Sequence, residues 1–321
     1  MCSLNISSQS ERNQTQVRNF ILLGIVGPQA LKVLLYFIFL ILYIMTLCGN
    51  LLIIGLFLQG RHLTSPMYFF LSHLSFCDIM LSTSVAPNLL SALLEKGKTM
   101  TFGGCIAQFF ASGLATAVEC NLLTVMSYDR YLAICNPLQY IRIMNSRLCI
   151  QLVTLSWLLT LLYCIIDITE IIQLDFCGYN ILDYVYCDVA PLLEISCKNT
   201  SDIEMTTMIL SLPGALLPLL FILSTYIKIS LTVLRISSST GKQKAFSTCS
   251  SHLTIVCTYF GILIAKYTVP SKGQSLNMNK AISLLYTSVT PVLNPMIYSF
   301  RNKEIRAAIA KWTSFRTGDL R

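Results

Sequence analysis

Two carboxylates and two carboxamides sit in this chain where an apolar sequence should have none: Asn50, Asp78, Glu119 and Asn294 each fall inside a long hydrophobic run. Such groups are costly in apolar surroundings and mark either a function or a structural network. Counted at ~1.5 Å per helical residue, Asn50 lies about 16 Å from Arg61, Asp78 about 18 Å from Pro66, Glu119 about 16 Å from Arg130 and Asn294 about 10 Å from Arg301. Four polar groups from four runs thus converge at a similar depth. One reading is a hydrogen-bond network that orients the runs. The sharper one is a cation site, because two adjacent carboxylates in a low dielectric cannot both stay ionised unless a cation or a proton joins them. Asp129 and Arg130 form a second charged feature at the end of the run that holds Glu119, and Pro137 closes that run. Catalytic constellations are not legible. His73 and Asp78 are five residues apart, roughly 140° around a helix, and His62 and His252 belong near the cytoplasmic edge of their runs.

The elements that position these groups follow from composition. The chain has 321 residues, 54% hydrophobic and only 12% charged, far more apolar than a soluble domain. About 20 apolar residues in a helix span a bilayer. Charge-free runs lie between Lys32 and Arg61, Lys98 and Glu119, Arg147 and Asp167, Glu204 and Lys228, Lys244 and Lys266, and Lys280 and Arg301. Residues 63 to 94, broken by His73 and Asp78, make the seventh. The basic loops at Arg61, at Arg142 and Arg147, and at Lys228 to Lys244, with the tail after Arg301, are assigned to the cytoplasm. The acidic stretch 167 to 204, eight carboxylates against Lys198, is assigned to the outside. The net charge of +8 therefore reads as membrane orientation rather than nucleic-acid binding.

The expected organisation is all-α: an extracellular segment 1–30, a seven-transmembrane helix bundle 31–301, and a short amphipathic eighth helix with cytoplasmic tail at 302–321. In that tail Ile305, Ala308, Ile309 and Trp312 recur at helical spacing between basic residues. The first 30 residues lack a cleavable signal pattern, and the sequons at Asn5 and Asn13 fall on the side assigned to the outside. Most of the thirteen cysteines lie within spans as small apolar residues. Cys105, Cys177, Cys187 and Cys197 fall on the outer side, where two disulfides in any of three pairings are open. A transporter should show internal repeats with interrupted helices, and a channel a ring of pore-lining polar residues; neither is present in the sequence.

"MSYDRYLAICNPL" at 126 to 138 carries more than an anchoring charge. Together with Gly49 and Asn50, "PMYFFLSHLSFCD" at 66 to 78, "KAFSTCSSHL" at 244 to 253 and "PVLNPMIYSFRNKEI" at 291 to 305, it makes the chain resemble the odorant receptors, a branch of the rhodopsin-like G-protein-coupled receptors. The resemblance implies a non-enzymatic receptor that needs no cofactor, in the plasma membrane of olfactory cilia with its N-terminus outside. Its implied partners are a small volatile odorant, the lipid bilayer and a heterotrimeric G protein of the olfactory stimulatory type, with cAMP as product. It also implies disulfides Cys105–Cys187 and Cys177–Cys197. Arg130, held by Asp129 at rest, is similar to the family arginine that meets the G protein, and Tyr226, Asn294, Pro295 and Tyr298 to the residues that rearrange with it. Asp78 and Glu119 match an acidic pair compatible with a sodium ion. A rhodopsin-like receptor for a non-odorant metabolite is the alternative.

No acidic residue lies between Glu204 and Glu304, so Arg130 has no carboxylate to meet on the sixth span. The resting state is then held by Asp129 and by hydroxyls such as Ser247, Thr248 or Tyr226, a weak latch with basal activity. Phe260, in "YFG", stands where the family usually has tyrosine. Helix phase gives the expected pocket: Ser112, Gly113 and Thr116 beside Glu119; Thr207, Leu210 and Ser211 on the fifth span; Phe260, Ile264 and Tyr267 on the sixth; Ser283 and Thr287, above Thr290, on the seventh. Such a cavity, apolar with a few hydroxyls, suits a weakly polar small molecule. Lys266 is read as snorkelling to water, or as pairing with an acidic ligand.

Overall fold

The computed structural model describes residues 19–59, 65–95, 97–176, 180–268, 275–301 and 305–307. Its long helices are α1 (Gln29–Leu58), α2 (Pro66–Leu94), α3 (Phe102–Cys135), α5 (Ser146–Ile172), α7 (Ser201–Arg235) and α8 (Ser239–Thr268). Each of the six contains a stretch long and apolar enough to cross a membrane. A further rod is assembled from α9 (Leu276–Leu284), a π-helical turn (Leu285–Val289) and α10 (Thr290–Arg301). These pieces of 9, 5 and 12 residues run on from one another and together span ~30 Å of hydrocarbon. Among the described residues two short helices add to these: α4 (Pro137–Ile143), where Pro137 opens the helix at the position that needs no N–H, and α6 (Val189–Glu194).

Exposure follows the bilayer logic. Leu34, Phe37 and Ile41 on α1, Leu158, Leu162 and Ile165 on α5, and Leu217, Leu220 and Phe221 on α7 are exposed, an apolar belt suited to lipid. The interior instead holds the polar residues, with Asn50, Asp78 and Ser127 fully buried.

The segment before α1 is more than a tail. Strand β1 (Asn19–Leu22) lies between β2 (Lys98–Thr101) and β3 (Ile181–Leu182), antiparallel to the first with Asn19 opposite Thr101 and parallel to the second with Leu22 opposite Leu182. Phe20 and Leu22 are fully buried, and the Phe20 ring meets Phe176 edge-on at 5.1 Å. Gly97 enters β2 at φ +113°, a conformation that favours glycine, and a Cβ there would come within 3.1 Å of Ile21. This sheet caps one end of the bundle, and the disulfide Cys105–Cys187 ties α3 to the same cap. Cys197 is disulfide-bonded as well. Cys177, Asn5, Asn13 and most of the tail lie outside the described residues.

Prolines explain several interhelical contacts, because each removes an N–H and frees the carbonyl four residues earlier. Pro295 frees the carbonyl of Pro291, and Asn50 Nδ2 donates to that oxygen at 3.0 Å. Gly49 permits the approach: a Cβ there would sit 3.0 Å from the Pro295 ring. On α7, Pro218 frees the carbonyl of Gly214, which accepts from the Cys120 thiol at 3.8 Å.

Candidate functional site

Between the capped end and the middle of the bundle lies a cavity of about 690 Å³, within the size range of small-molecule sites. Ser112, Gly113 and Thr116 of α3 and Thr207, Leu210 and Ser211 of α7 line it. The sixth-span expectation is off by one position. Tyr259, Leu263 and Lys266 line the cavity, whereas Phe260 and Ile264 do not, and Ile264 is 51% exposed. The phase of α8 is set by His252, which is fully buried; Tyr259 and Lys266, seven and fourteen residues on, share its face. Tyr259 supplies the hydroxyl that Phe260 lacks, donating to the Thr116 carbonyl at 2.9 Å. The side chain of Tyr267 lies outside the described residues.

Ser283 and Thr287 are buried but already engaged: Thr287 donates to the Ser283 carbonyl at 2.9 Å, and the Ser283 hydroxyl is 2.7 Å from that of Tyr184. Asn279 and Tyr286 line the cavity in their place. Lys266 is paired inside the protein. Its Nζ is 2.8 Å from Asp188 Oδ2 and donates to the Tyr186 hydroxyl at 2.7 Å. Burial alone would raise the Asp188 carboxyl, but Lys266, the Val189 N–H and the Tyr186 hydroxyl outweigh it and hold the group below its ordinary value. Lys280 makes a similar tie to Asp183 at 2.6 Å, so two carboxylates of the acidic stretch 167 to 204 are bound to helices.

Beneath the cavity, Asn294 Nδ2 donates to Asp78 Oδ1 and Oδ2 at 3.0 and 3.1 Å and to Glu119 Oε1 at 3.1 Å. Asp78, Glu119 and Asn294 thus meet, tying α2, α3 and α10 together. Asn50, the fourth member expected there, bonds to backbone instead, at Thr46 and Pro291.

Lower still, His252 Nε2 is 3.1 Å from the Leu123 carbonyl and its Nδ1 is 2.7 Å from the Tyr226 hydroxyl. A carbonyl can only accept, so Nε2 carries the proton, and in the neutral ring Nδ1 accepts from Tyr226. At the far end Arg130 Nε donates to Asp129 Oδ2 at 2.8 Å, Arg130 Nη2 binds the same oxygen, and Tyr140 donates to Asp129 Oδ1 at 2.8 Å. Tyr298 is buried with its hydroxyl unpartnered among the described residues. Ser247 and Thr248 have side chains outside the described residues. His252 and Tyr140 are the members that sequence reasoning missed. His252 stood in "KAFSTCSSHL", seven positions before Tyr259, and that spacing was the available signal.

A bundle of seven crossings with a ligand-sized cavity at one end and an Asp-Arg pair at the other has the architecture of rhodopsin-like G-protein-coupled receptors. Squid rhodopsin aligns with it at a TM-score of 0.71 and 21% identity, over 91% of this chain and 87% of the rhodopsin. Residues 39–315 match the family model described as "Olfactory receptor". The human protein "Olfactory receptor 2G6" is 43% identical over 300 residues, covering 93% of this chain and 95% of that one. The rat "Olfactory receptor-like protein I9" is 41% identical over 302 residues, covering 94% and 96%. The chain belongs to the olfactory receptor family of multi-pass membrane receptors, which are not enzymes.

Proposed function

We propose that this chain binds small odorants in the cavity under the sheet and activates an olfactory stimulatory G protein at the Asp129 end, raising cAMP. The observation that carries this is a relay of contacts on α3. Tyr259 joins α8 to it at Thr116, Glu119 joins α10 through Asn294, His252 and Tyr226 join α8 and α7 at Leu123, and Arg130 ends it. A ligand that shifts Tyr259 therefore moves the helix that carries Arg130, a change favoured only if the ligand binds the two states differently. In this reading Tyr298, whose hydroxyl has no partner among the described residues, and Pro295 rearrange with it. Leu138 and Ile141 of α4, 98% and 84% exposed beside Asp129, add an apolar face for a protein partner.

The orientation that fits is the sheet, 1–30 and the glycans on Asn5 and Asn13 outside, with Arg130 and residues 302–321 inside, the latter as an amphipathic helix. Ile305, buried against α1 and α2 among Ile53, Leu56, Tyr68 and Leu71, is a suitable anchor for it. Residence in olfactory cilia and a Cys177–Cys197 bond belong to the same reading. Three carboxylate oxygens of Asp78 and Glu119 converge on one amide; hard oxygen donors of this kind suit a sodium ion as modulator.

The test is cAMP in cells expressing the chain with that G protein, across a broad odorant panel, for wild type and Arg130→Ala at matched surface levels. Responses by wild type that disappear in Arg130→Ala are expected. Undiminished responses in the variant would remove Arg130 from the mechanism, and silence to every odorant would favour another ligand class.

A further inference from the structure

Where α3 and α5 border the cavity, it has a polar lining that sequence reasoning did not foresee. Asn121, Thr160, Tyr163 and Asp167 line it. Asn121 Nδ2 donates to Thr160 Oγ1 at 3.1 Å, and Tyr163 is the neighbouring polar side chain that interacts with the Asp167 carboxylate. Asp167 is 6% exposed, and among the described residues its Oδ1 has no hydrogen-bond partner. A buried carboxylate oxygen without a donor is expensive to keep, and this one borders a space large enough to admit a donor from a ligand. The charge balance points the same way. The charged residues lining the cavity are Asp167, Asp188, Glu204 and Lys266, and Lys266 is neutralised by Asp188 at 2.8 Å. No described Lys or Arg pairs with Asp167.

We propose that Asp167 anchors the protonated nitrogen of an amine whose apolar body extends into the main cavity. This rests on the cavity being the ligand site of the receptor. An ammonium brings both the missing donor and the missing positive charge, and charge-assisted hydrogen bonds in a partly dry site are the strong ones. A carboxylic acid at the same place would add a like charge beside Asp167. An alcohol supplies the donor without the charge.

The probes are linear primary amines of six to eight carbons with the matching alcohols and carboxylic acids. They are assayed by cAMP in cells and by thermal stabilisation of the purified full chain, for wild type, Asp167→Asn and Asp167→Glu. Amines should activate and stabilise wild type, lose about tenfold to a hundredfold in potency in Asp167→Asn, and keep most of it in Asp167→Glu, with alcohols shifting far less. Equal amine potency in wild type and Asp167→Asn would overturn the proposal. So would amines that neither activate nor stabilise wild type, whatever neutral odorants do. Amines that stabilise wild type but not Asp167→Asn, with no cAMP response to any compound, would keep the anchor and remove the signalling role.

Discussion

The two ends of α8 are held by different means. At the sheet end Lys266 is fixed by Asp188 and Tyr186, at 2.8 and 2.7 Å, and halfway down His252 is fixed between Leu123 and Tyr226. Beyond that point the sequence offers no carboxylate between Glu204 and Glu304, so α8 cannot reach Arg130 by an ion pair. Arg130 is bound instead to its own neighbour Asp129, which Tyr140 of α4 steadies. Charges thus tie α8 to the cap over the cavity, while at the far end α8 has no carboxylate to offer Arg130. A helix pinned above, with no ion pair to Arg130 below, pivots with little cost, which suits a switch read out at the Arg130 end.

The middle of the bundle is the fulcrum, and breaking it should have the largest effect on stability. Asn294→Leu removes the single amide shared by Asp78 and Glu119 and leaves two buried carboxyls without their donor, at a cost of about 3 kcal/mol. A fall in melting temperature of roughly 5 °C or more is expected for the purified protein. Unchanged melting would mean that the two acids hold each other, and that α10 is not tied through Asn294.

Lys266→Met tests the pinned end and should cost less, about 1 to 2 kcal/mol, because both partners are partly exposed, at 23% and 17%. The pair also has a pH signature. Asp188 titrates in the folded chain below its ordinary 3.8, so the stability it contributes is present above that value and lost as pH falls through the lower folded one. Wild-type melting should be insensitive to this pair from pH 7 to about 5 and decline below about 4. Lys266→Met should show a smaller acid decline. Equal declines in both would mean that Asp188 owes its depressed titration to Val189 and Tyr186 alone.

Much of this contrast was legible in the sequence because charges in apolar runs have few places to go. The depth count brought Asp78, Glu119 and Asn294 together, and the missing carboxylate on the sixth span was a plain reading of residues. What failed was phase and partner choice. Starting the sixth-span face at Phe260 turned it by one residue, about 100°, and put Ile264 where Leu263 belongs. Lys266 was read as snorkelling to water or pairing with an acidic ligand, because its partner Asp188 is far away in sequence and is brought near by the disulfide and the sheet. Asn50 was taken for a member of the acidic cluster; the carbonyl freed by Pro295 is a backbone acceptor that residue types alone do not display. The strand at Asn19–Leu22 has four residues, too few for periodicity to declare itself.

The loose end gives the smallest expected effect and the sharpest discrimination. Tyr140 binds Oδ1 of Asp129, while Arg130 binds Oδ2. The two therefore do not compete for one oxygen, and Tyr140 acts by fixing the carboxylate so that its other oxygen faces the arginine. Burial and the adjacent Asp129 carboxylate push the Tyr140 hydroxyl up, so it stays a donor at any physiological pH. Tyr140→Phe deletes that donor and leaves the ring, weakening the latch by about 0.5 to 1 kcal/mol. Because α8 has no carboxylate to offer Arg130, nothing of comparable charge replaces the Asp129 contact, and basal cAMP should rise about two- to fivefold at equal surface expression. A fall in basal signal would mean that Tyr140 competes with Arg130 for Asp129. No change would mean that the resting state is held at His252 and Tyr226 instead, and the pivot would then have to be drawn one turn lower.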